Sequence, residues 1–345
     1  MKYLLSSNKT LFVSISLFCL PMLTLCLLLC LPLLIFCAGA MYTSAWTTYF
    51  YCCRWTSPWR QLLSDLPVRP SAVIHWNDKL VKTIPFVLGY IHWRVTDRSR
   101  HRICQSNRVY SKSNPHVCRL DVYNAINASG ILVLFVYGST TPQSKRLYAP
   151  LASRLCDFGY AVAVPQYREE CACYDVREAI KYASKILSAE MIYIMSHGTA
   201  ADVVAQIAFE DVLTKVKCLD EQDKGKHSLS MQQPLDFLPQ IEGLLLFAGC
   251  YSESTAGLIR ANHAMFRTSN DLPDLFPRIL FVHGSNDSTV SVQKSVDMYN
   301  MLGDALPPQR RQDVDVRMRL YKNLTHEQCL QGLFKDIEEF VGDAL

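Results

Sequence analysis

The sequence predicts an α/β protein with a mostly parallel sheet and helices on both faces, preceded by an N-terminal transmembrane helix. Short, almost continuously apolar runs indicate strands that are buried on both faces. Between them, longer stretches repeat apolar residues at three- and four-residue spacing, which is typical of amphipathic helices. The transmembrane helix is indicated by the absence of Asp, Glu, Lys and Arg between Lys9 and Arg54. Because 50% of the 345 residues are hydrophobic and 19% charged, a disordered chain is excluded.

Residues 1–40 are predicted to be a membrane anchor. The apolar stretch Leu11–Ala40 exceeds the roughly 20 residues that a helix needs to cross a bilayer. A cleaved signal peptide is the alternative, because Ala38-Gly39-Ala40 resembles a processing site, but signal peptides have shorter apolar regions. Basic residues flank the span on both sides, and their distribution mildly favours a cytosolic location for the larger domain that follows it. We expect a single-pass protein of the endoplasmic reticulum or Golgi, with its larger domain in the cytosol and membrane lipid as a partner.

Residues 41–110 form an aromatic and basic connector that we expect to lie on the bilayer as helices. Tryptophan favours the membrane interface, and this segment holds all five tryptophans of the chain. The apolar run Leu80–Trp93 is short for a second span. Cys52 and Cys53, next to Arg54, are candidates for palmitoylation, the alternative being two small apolar residues.

Residues 111–345 are predicted to form the α/β domain, with residues 215–240 as a polar insertion loop or lid. An additional antiparallel strand, Cys118–Tyr123, is expected at the start of the sheet. The other predicted strands are Ile131–Tyr137, Tyr160–Val164, Met191–Met195, Leu244–Ala248, Ile279–His283 and Val314–Tyr321. The predicted helices are Ser144–Phe158, Val176–Ser188, Ala200–Leu213, Val292–Leu302 and Gln328–Phe340. Strands that alternate with helices in this way favour a parallel sheet.

Charge and motif content exclude several classes of ligand. The net charge is only +4 and the cations are scattered, so nucleic acid is not an expected partner. The chain has no glycine-rich phosphate loop ending in Gly-Lys, so no nucleotide is expected. Cys171-Ala172-Cys173 lacks a second pair of cysteines at zinc spacing. We therefore expect no metal and no cofactor.

Four polar turns follow predicted strands, at the sheet edge where ligands of α/β proteins bind. They are Tyr137-Gly138-Ser139-Thr140, Ser196-His197-Gly198-Thr199-Ala200, His283-Gly284-Ser285-Asn286-Asp287 and Leu324-Thr325-His326-Glu327. In chain order they supply a turn, an elbow, an acid and a histidine, which is the order found in α/β-hydrolases.

On these motifs the chain resembles the α/β-hydrolase superfamily, and most closely the prenylcysteine carboxyl methylesterases, which are membrane-anchored. The resemblance is carried by ILVLFVYGSTTPQ, YAPLASRLCDFGYAVAVPQYR, IYIMSHGTAADVVA, VHGSNDSTVSVQKSVDMYNML and LYKNLTHEQCL, and it covers most of the chain. It implies the α/β-hydrolase fold, carboxylic-ester hydrolysis, and a prenylated or acylated peptide or an ester as ligand.

The resemblance also implies roles for individual residues. Asp287 matches the family acid and His326 the base, although Asp287 is otherwise a helix cap and His326 a loop residue. The backbone N–H groups of Gly138, Ser139 and Thr199 would form the oxyanion hole. The turn Y-G-S differs from the family's H-G-G or G-G-x at that place.

The nucleophile is where the chain departs from the family. The pattern G-x-S-x-G aligns with Ser196-His197-Gly198-Thr199-Ala200, which puts Gly198 at the position of the reactive serine. A shifted alignment makes Ser196 the nucleophile but puts the bulky Ile194 where a small residue is needed. The sequence therefore favours a hydrolase-like protein with impaired catalysis. The alternatives are an active esterase using Ser196, His326 and Asp287, and a scaffold for protein contacts near the membrane.

Overall fold

The computed structural model describes nine segments of the chain. They are residues 30–50, 59–96, 103–113, 116–123, 129–138, 144–223, 236–306, 314–331 and 334–343. The chain divides into two compact units, residues 1–81 and 82–345.

The smaller unit contains helix α1 (Cys30–Phe50), helix α2 (Trp59–Ser64) and the first turns of helix α3 (Pro70–Thr96). Among the described residues, α1 alone is long and apolar enough to cross a membrane, with a mean hydropathy of 1.4. Such a helix near the N-terminus fits a membrane span or a signal sequence. Contacts between α1 and α3 include hydrogen bonds of the Asn77 side-chain amide, which donates to the Met41 carbonyl at 2.9 Å and accepts from the Ser44 hydroxyl. The Tyr49 and Trp76 rings also meet edge to face.

The larger unit is built on an eight-stranded sheet of order β1-β2-β4-β3-β5-β6-β7-β8. Strand β2 is antiparallel to β1 and β4, and all other neighbouring strands are parallel. The strands are β1 (Ile103–Ser113), β2 (His116–Tyr123), β3 (Ile131–Tyr137), β4 (Ala161–Pro165), β5 (Met191–His197), β6 (Gly243–Phe247), β7 (Arg278–Gly284) and β8 (Val316–Tyr321). The prediction of a mostly parallel sheet with an antiparallel strand at its start is confirmed, and it is consistent with the α/β-hydrolase fold.

Helices cover both faces of the sheet and produce two hydrophobic cores. The first core, which includes Val176, Ala201 and Met298, lies under α5, α6 and α10. The second core, which includes Leu155 and Phe340, lies under α4 and α12. The helices of this unit are α4 (Ala149–Asp157), α5 (Ala172–Leu187), α6 (Ala200–Asp223), α7 (Glu253–Ala261), α8 (His263–Thr268), α9 (Leu272–Leu275), α10 (Val292–Ala305), α11 (Gln328–Gln331) and α12 (Phe334–Gly342).

Two predicted segment boundaries were wrong. The connector was expected to reach residue 110, but β1 begins at Ile103 and is a sheet-edge strand whose polar sequence, ICQSNRVYSKS, hid it. The insertion loop was expected from residue 215, but α6 continues to Asp223 because Val216 is buried in the first core. The helix predicted over Gln328–Phe340 is helical at each of its described residues, in α11 and α12.

Candidate functional site

The turn between β5 and α6 is the sharpest feature at the carboxyl edge of the sheet. Strand β5 ends at His197, α6 begins at Ala200, and Gly198 between them has a φ of +63°. L-residues rarely adopt this backbone conformation, which costs glycine nothing. The Gly198 N–H donates to the Phe247 carbonyl at 3.0 Å, and the Gly198 carbonyl accepts from the Cys250 N–H at 3.1 Å. This turn has the strand-to-helix geometry of a nucleophile elbow, with no side chain at its apex.

Ser196 points to the face of the sheet opposite the elbow histidine. Side chains of paired residues in a parallel sheet share a face, and neighbours along a strand alternate. Ser196 pairs with Val136 of the first core, whereas His197 pairs with Phe247 of the second core. The Ser196 hydroxyl is fully buried and has no hydrogen-bond partner among the described residues, so it makes no bond to His326. The structure therefore does not bring Ser196 and His326 together.

Asp287 and His326 are brought together by the loops after β7 and β8. The Nδ1 atom of His326 lies 2.7 Å from Oδ2 of Asp287, and both side chains are buried. Because a carboxylate only accepts, Nδ1 carries the hydrogen, and Nε2 of the neutral ring is left as the basic nitrogen. This is the orientation in which a histidine acts as a general base.

Asp287 is held as a carboxylate by several donors. Its Oδ1 atom accepts from the backbone N–H groups of Thr289 at 2.8 Å and Val290 at 2.7 Å. Burial alone would raise the pKa of Asp287, but the hydrogen bonds from His283, His326 and Val290 together hold that pKa well below its usual range. The carboxylate is thus charged at neutral pH and orients His326.

His283 and Gly284, which sequence reasoning left without a role, build this arrangement. The Nε2 atom of His283 lies 3.2 Å from Oδ2 of Asp287, and its Nδ1 lies 2.8 Å from the Ser295 hydroxyl. A Cβ at Gly284 would clash with the carbonyl of Leu324, so glycine lets the histidine loop approach the acid turn. The motif H-G-x-x-D already contained both residues, four and three positions before the acid.

His197 connects the elbow to the histidine loop. Its Nε2 donates to the His326 carbonyl at 2.9 Å, and the two imidazole rings are 4.3 Å apart between centroids. Burial first, and the neighbouring His326 second, lower the pKa of His197 to about 3. His197 is therefore neutral at physiological pH, and its buried Nδ1 has no hydrogen-bond partner within the part of the chain that the structure describes.

The expected oxyanion turn is only partly described. A Cβ at Gly138 would lie 2.7 Å from the backbone nitrogen of Thr199 and 2.8 Å from the His197 carbonyl oxygen. The structure therefore brings Gly138 and Thr199 into contact, and glycine is needed for that approach. Ser139 lies outside the described residues, as do the lipidation candidates Cys52 and Cys53.

The described residues thus bring a histidine and a carboxylate together, and the apex of the neighbouring elbow is a glycine. Within the described part of the chain, no cluster of three or more His, Cys, Asp or Glu side chains is arranged to hold a metal ion. The arrangement can hold a proton at His326 and orient that ring, but Gly198 at the apex of the elbow has no side chain that could form a covalent bond to a carbonyl carbon.

Comparisons with known proteins find similarity only among solved structures. No family model and no curated protein matches the chain. A truncated carbohydrate esterase from gut microbiota is 16% identical, with 71% of this chain and 97% of that chain covered and a TM-score of 0.47. A thermophilic esterase from Thermogutta terrifontis is 12% identical, with coverages of 69% and 91% and a TM-score of 0.47. Est1E from Butyrivibrio proteoclasticus is 13% identical, with coverages of 69% and 98% and a TM-score of 0.44.

The sequence identities and TM-scores of these three structures are low. The fold is instead identified by the order of the strands, the helices on both faces of the sheet, and the turns at the strand ends. The chain has a mostly parallel α/β architecture consistent with the α/β-hydrolase fold.

Proposed function

We propose that this chain is a membrane-anchored α/β-hydrolase-fold protein, related to the prenylcysteine methylesterases, that binds a prenylated or acylated peptide or an ester without hydrolysing it. The observation that carries the proposal is Gly198, which occupies the apex of the elbow with a φ of +63°. The proposal is also supported by the hydrogen bond between His326 and Asp287, and by the contact of His326 with His197 of the elbow.

The rate that is lost with the nucleophile is larger than the rate acceleration that the remaining groups supply. Removing the nucleophile of a serine hydrolase costs about 10⁶ in kcat, or about 8 kcal/mol of barrier. Substrate binding and an oxyanion hole alone retain a rate acceleration of roughly 10³–10⁴ over the uncatalysed reaction in water. A site with these groups alone therefore binds a carbonyl compound much better than it turns one over.

Two neighbouring side chains do not replace the missing serine. The Ser196 hydroxyl belongs to the opposite face of the sheet, as its pairing with Val136 indicates. Cys329 is buried behind the acid turn, and burial first, then the charge of Asp287, raise the pKa of its thiol to about 12. Since the thiolate is the nucleophilic form, Cys329 is unreactive at neutral pH.

Membrane anchoring is supported by α1, whose apolar side chains include Leu34, Ile35 and Phe36 with 64–74% of their surface exposed. Side chains of this kind favour a lipid environment over water. In the proposal this helix crosses the membrane of the endoplasmic reticulum or Golgi, and the larger unit lies in the cytosol.

A fluorophosphonate probe, which reacts with activated serines, tests the proposal on the full chain in detergent. We expect no specific labelling of the natural protein or of Ser196→Ala. Gly198→Ser should gain labelling, because the new hydroxyl stands at the apex beside the histidine loop. It should also lose about 1–3 kcal/mol of stability, because the residue must keep a positive φ.

Labelling of Gly198→Ser should disappear when His326→Gln is added, which separates an activated serine from non-specific reaction. Labelling of the natural protein that is lost in Ser196→Ala would refute the proposal and support the active esterase. A folded but unlabelled Gly198→Ser protein would overturn the assignment of the elbow.

A further inference from the structure

A cavity lies in the larger unit. It is formed by residues 85–89 of α3, the short turn before α4, α4 itself, and helices α11 and α12. It has a volume of about 280 Å³. It contains none of Gly198, His326 and Asp287. We propose that this cavity binds the alkyl chain of a free fatty acid, and that Arg154 at its rim holds the carboxylate.

The walls of the cavity are almost entirely apolar. Its lining includes Phe86, Leu147, Tyr148, Leu330 and Phe334. The Phe86 and Tyr148 rings meet edge to face at 5.7 Å between centroids and close one side. A wall of this composition solvates an alkyl chain and offers little to a polar ligand.

Gly89 of α3 lines the cavity without a side chain. A Cβ at this position would meet no atom within 4 Å, so a larger side chain here has room to extend into the cavity. A cavity of about 150 Å³ holds benzene, which suggests an occupant of about a dozen carbon atoms for this larger space. The volume fits one alkyl chain, which favours a free fatty acid over a two-chain phospholipid.

Arg154 supplies the only guanidinium among the described residues that line the cavity. Its guanidinium carbon lies 4.2 Å from the centroid of the Phe334 ring, which positions it at the cavity. No carboxylate among the described residues forms an ion pair with Arg154, whereas most other arginines of the described sheet domain have one. An unpaired guanidinium beside an apolar cavity complements a carboxylate at the end of an alkyl chain.

The surface beside the cavity is also apolar. The α3 residues Ile84, Leu88, Ile91 and Val95 follow one another at spacings of four, three and four and form one stripe. Their exposed fractions are 46%, 60%, 51% and 71%. An exposed apolar stripe of this length is typical of an interaction surface, and Leu88 is next to the cavity residue Gly89. A ligand from a lipid phase would reach the cavity across this stripe.

Binding of saturated fatty acids with 8 to 16 carbons to the full chain in nanodiscs tests this proposal, with empty nanodiscs as the background. Each added methylene should raise the affinity about fourfold until the cavity is filled. The increase should level off near a dozen carbons. Affinity that does not depend on chain length would overturn the proposal.

Two glycine variants provide a matched comparison. Gly89→Leu should fill the cavity and weaken binding of dodecanoate at least tenfold. Gly257→Leu, at a helical glycine of α7 with equally open surroundings, should bind as the natural protein does. Both substitutions should raise the melting temperature, since leucine favours helix over glycine, and this verifies folding. Unchanged binding by a folded Gly89→Leu protein would exclude the cavity as the site.

The role of Arg154 is tested by comparing dodecanoate with dodecanol. The natural protein should favour the acid about tenfold beyond the background ratio, because a charged hydrogen bond is lost with the alcohol. Arg154→Gln should remove that preference and leave dodecanol binding unchanged. Equal preference in both proteins would refute the carboxylate site. These outcomes are independent of probe labelling at the elbow.

Discussion

His197 should make the folded protein less stable as the pH falls, and replacing it should remove that dependence. Its imidazole is fully buried, and burial together with His326 lowers its pKa to about 3 from an ordinary value of 6.5. The unfolded chain therefore takes up a proton near pH 6.5, whereas the folded protein does so only near pH 3. Stability contributed by the neutral ring is complete above pH 6.5 and is lost between these two values.

The size of the effect follows from the two pKa values. Over this interval the unfolded state binds one more proton, so the free energy of unfolding falls by about 1.4 kcal/mol per pH unit. Between pH 7 and pH 5 the loss from His197 alone amounts to about 2 kcal/mol.

The assay is urea unfolding of the full chain in detergent, followed by circular dichroism at pH 7 and pH 5. His197→Gln keeps an N–H donor for the His326 carbonyl, and its loss of stability between the two pH values should be about 2 kcal/mol smaller than that of the natural protein. Ser196→Ala changes the neighbouring residue without a titrating group, so it should keep the natural pH dependence. Equal pH dependence in His197→Gln and the natural protein would refute the conclusion that the ring is held neutral.

Two further substitutions, with Gly257→Ala as the control for the first, test the packing of the sheet edge and the ion pair between Asp175 and Arg168. Gly138→Ala should lower the free energy of unfolding by about 1–3 kcal/mol, because its Cβ would overlap Thr199, whereas Gly257→Ala should raise it by about 0.5–1 kcal/mol; urea unfolding checks both. Asp175→Asn should cost about 3–5 kcal/mol in the same assay, because Asp175 is fully buried and accepts three hydrogen bonds from Arg168, two from the guanidinium at 2.6 and 2.8 Å and one from the backbone N–H at 3.0 Å. An Asp175→Asn protein as stable as the natural one would contradict this role.

Much of the fold could be predicted because buried parallel strands leave a strong local pattern. Runs such as Ile131–Tyr137 are apolar at every position, and the structure buries every one of these side chains. Strand β1 was not predicted from the sequence, because an edge strand pairs with a single neighbour and has solvent on its other side, so it carries no continuous apolar run. The end of α6 was predicted too early, because charged residues, including the ion-paired Lys215 and Asp211, flank the buried Val216 and interrupt the regular spacing of apolar residues.

At the site, residue identity was enough to establish that position 198 has no hydroxyl, since glycine has no side chain. The positions of Asp287 and His326 after predicted strands also made them candidates for the acid and the histidine. Their hydrogen bond, between residues 39 positions apart, could be found only from the folded chain, because that contact depends on how two separate loops meet. The same holds for Ser196, whose side chain is turned away from His326 by the pairing register of β5, which no local pattern encodes.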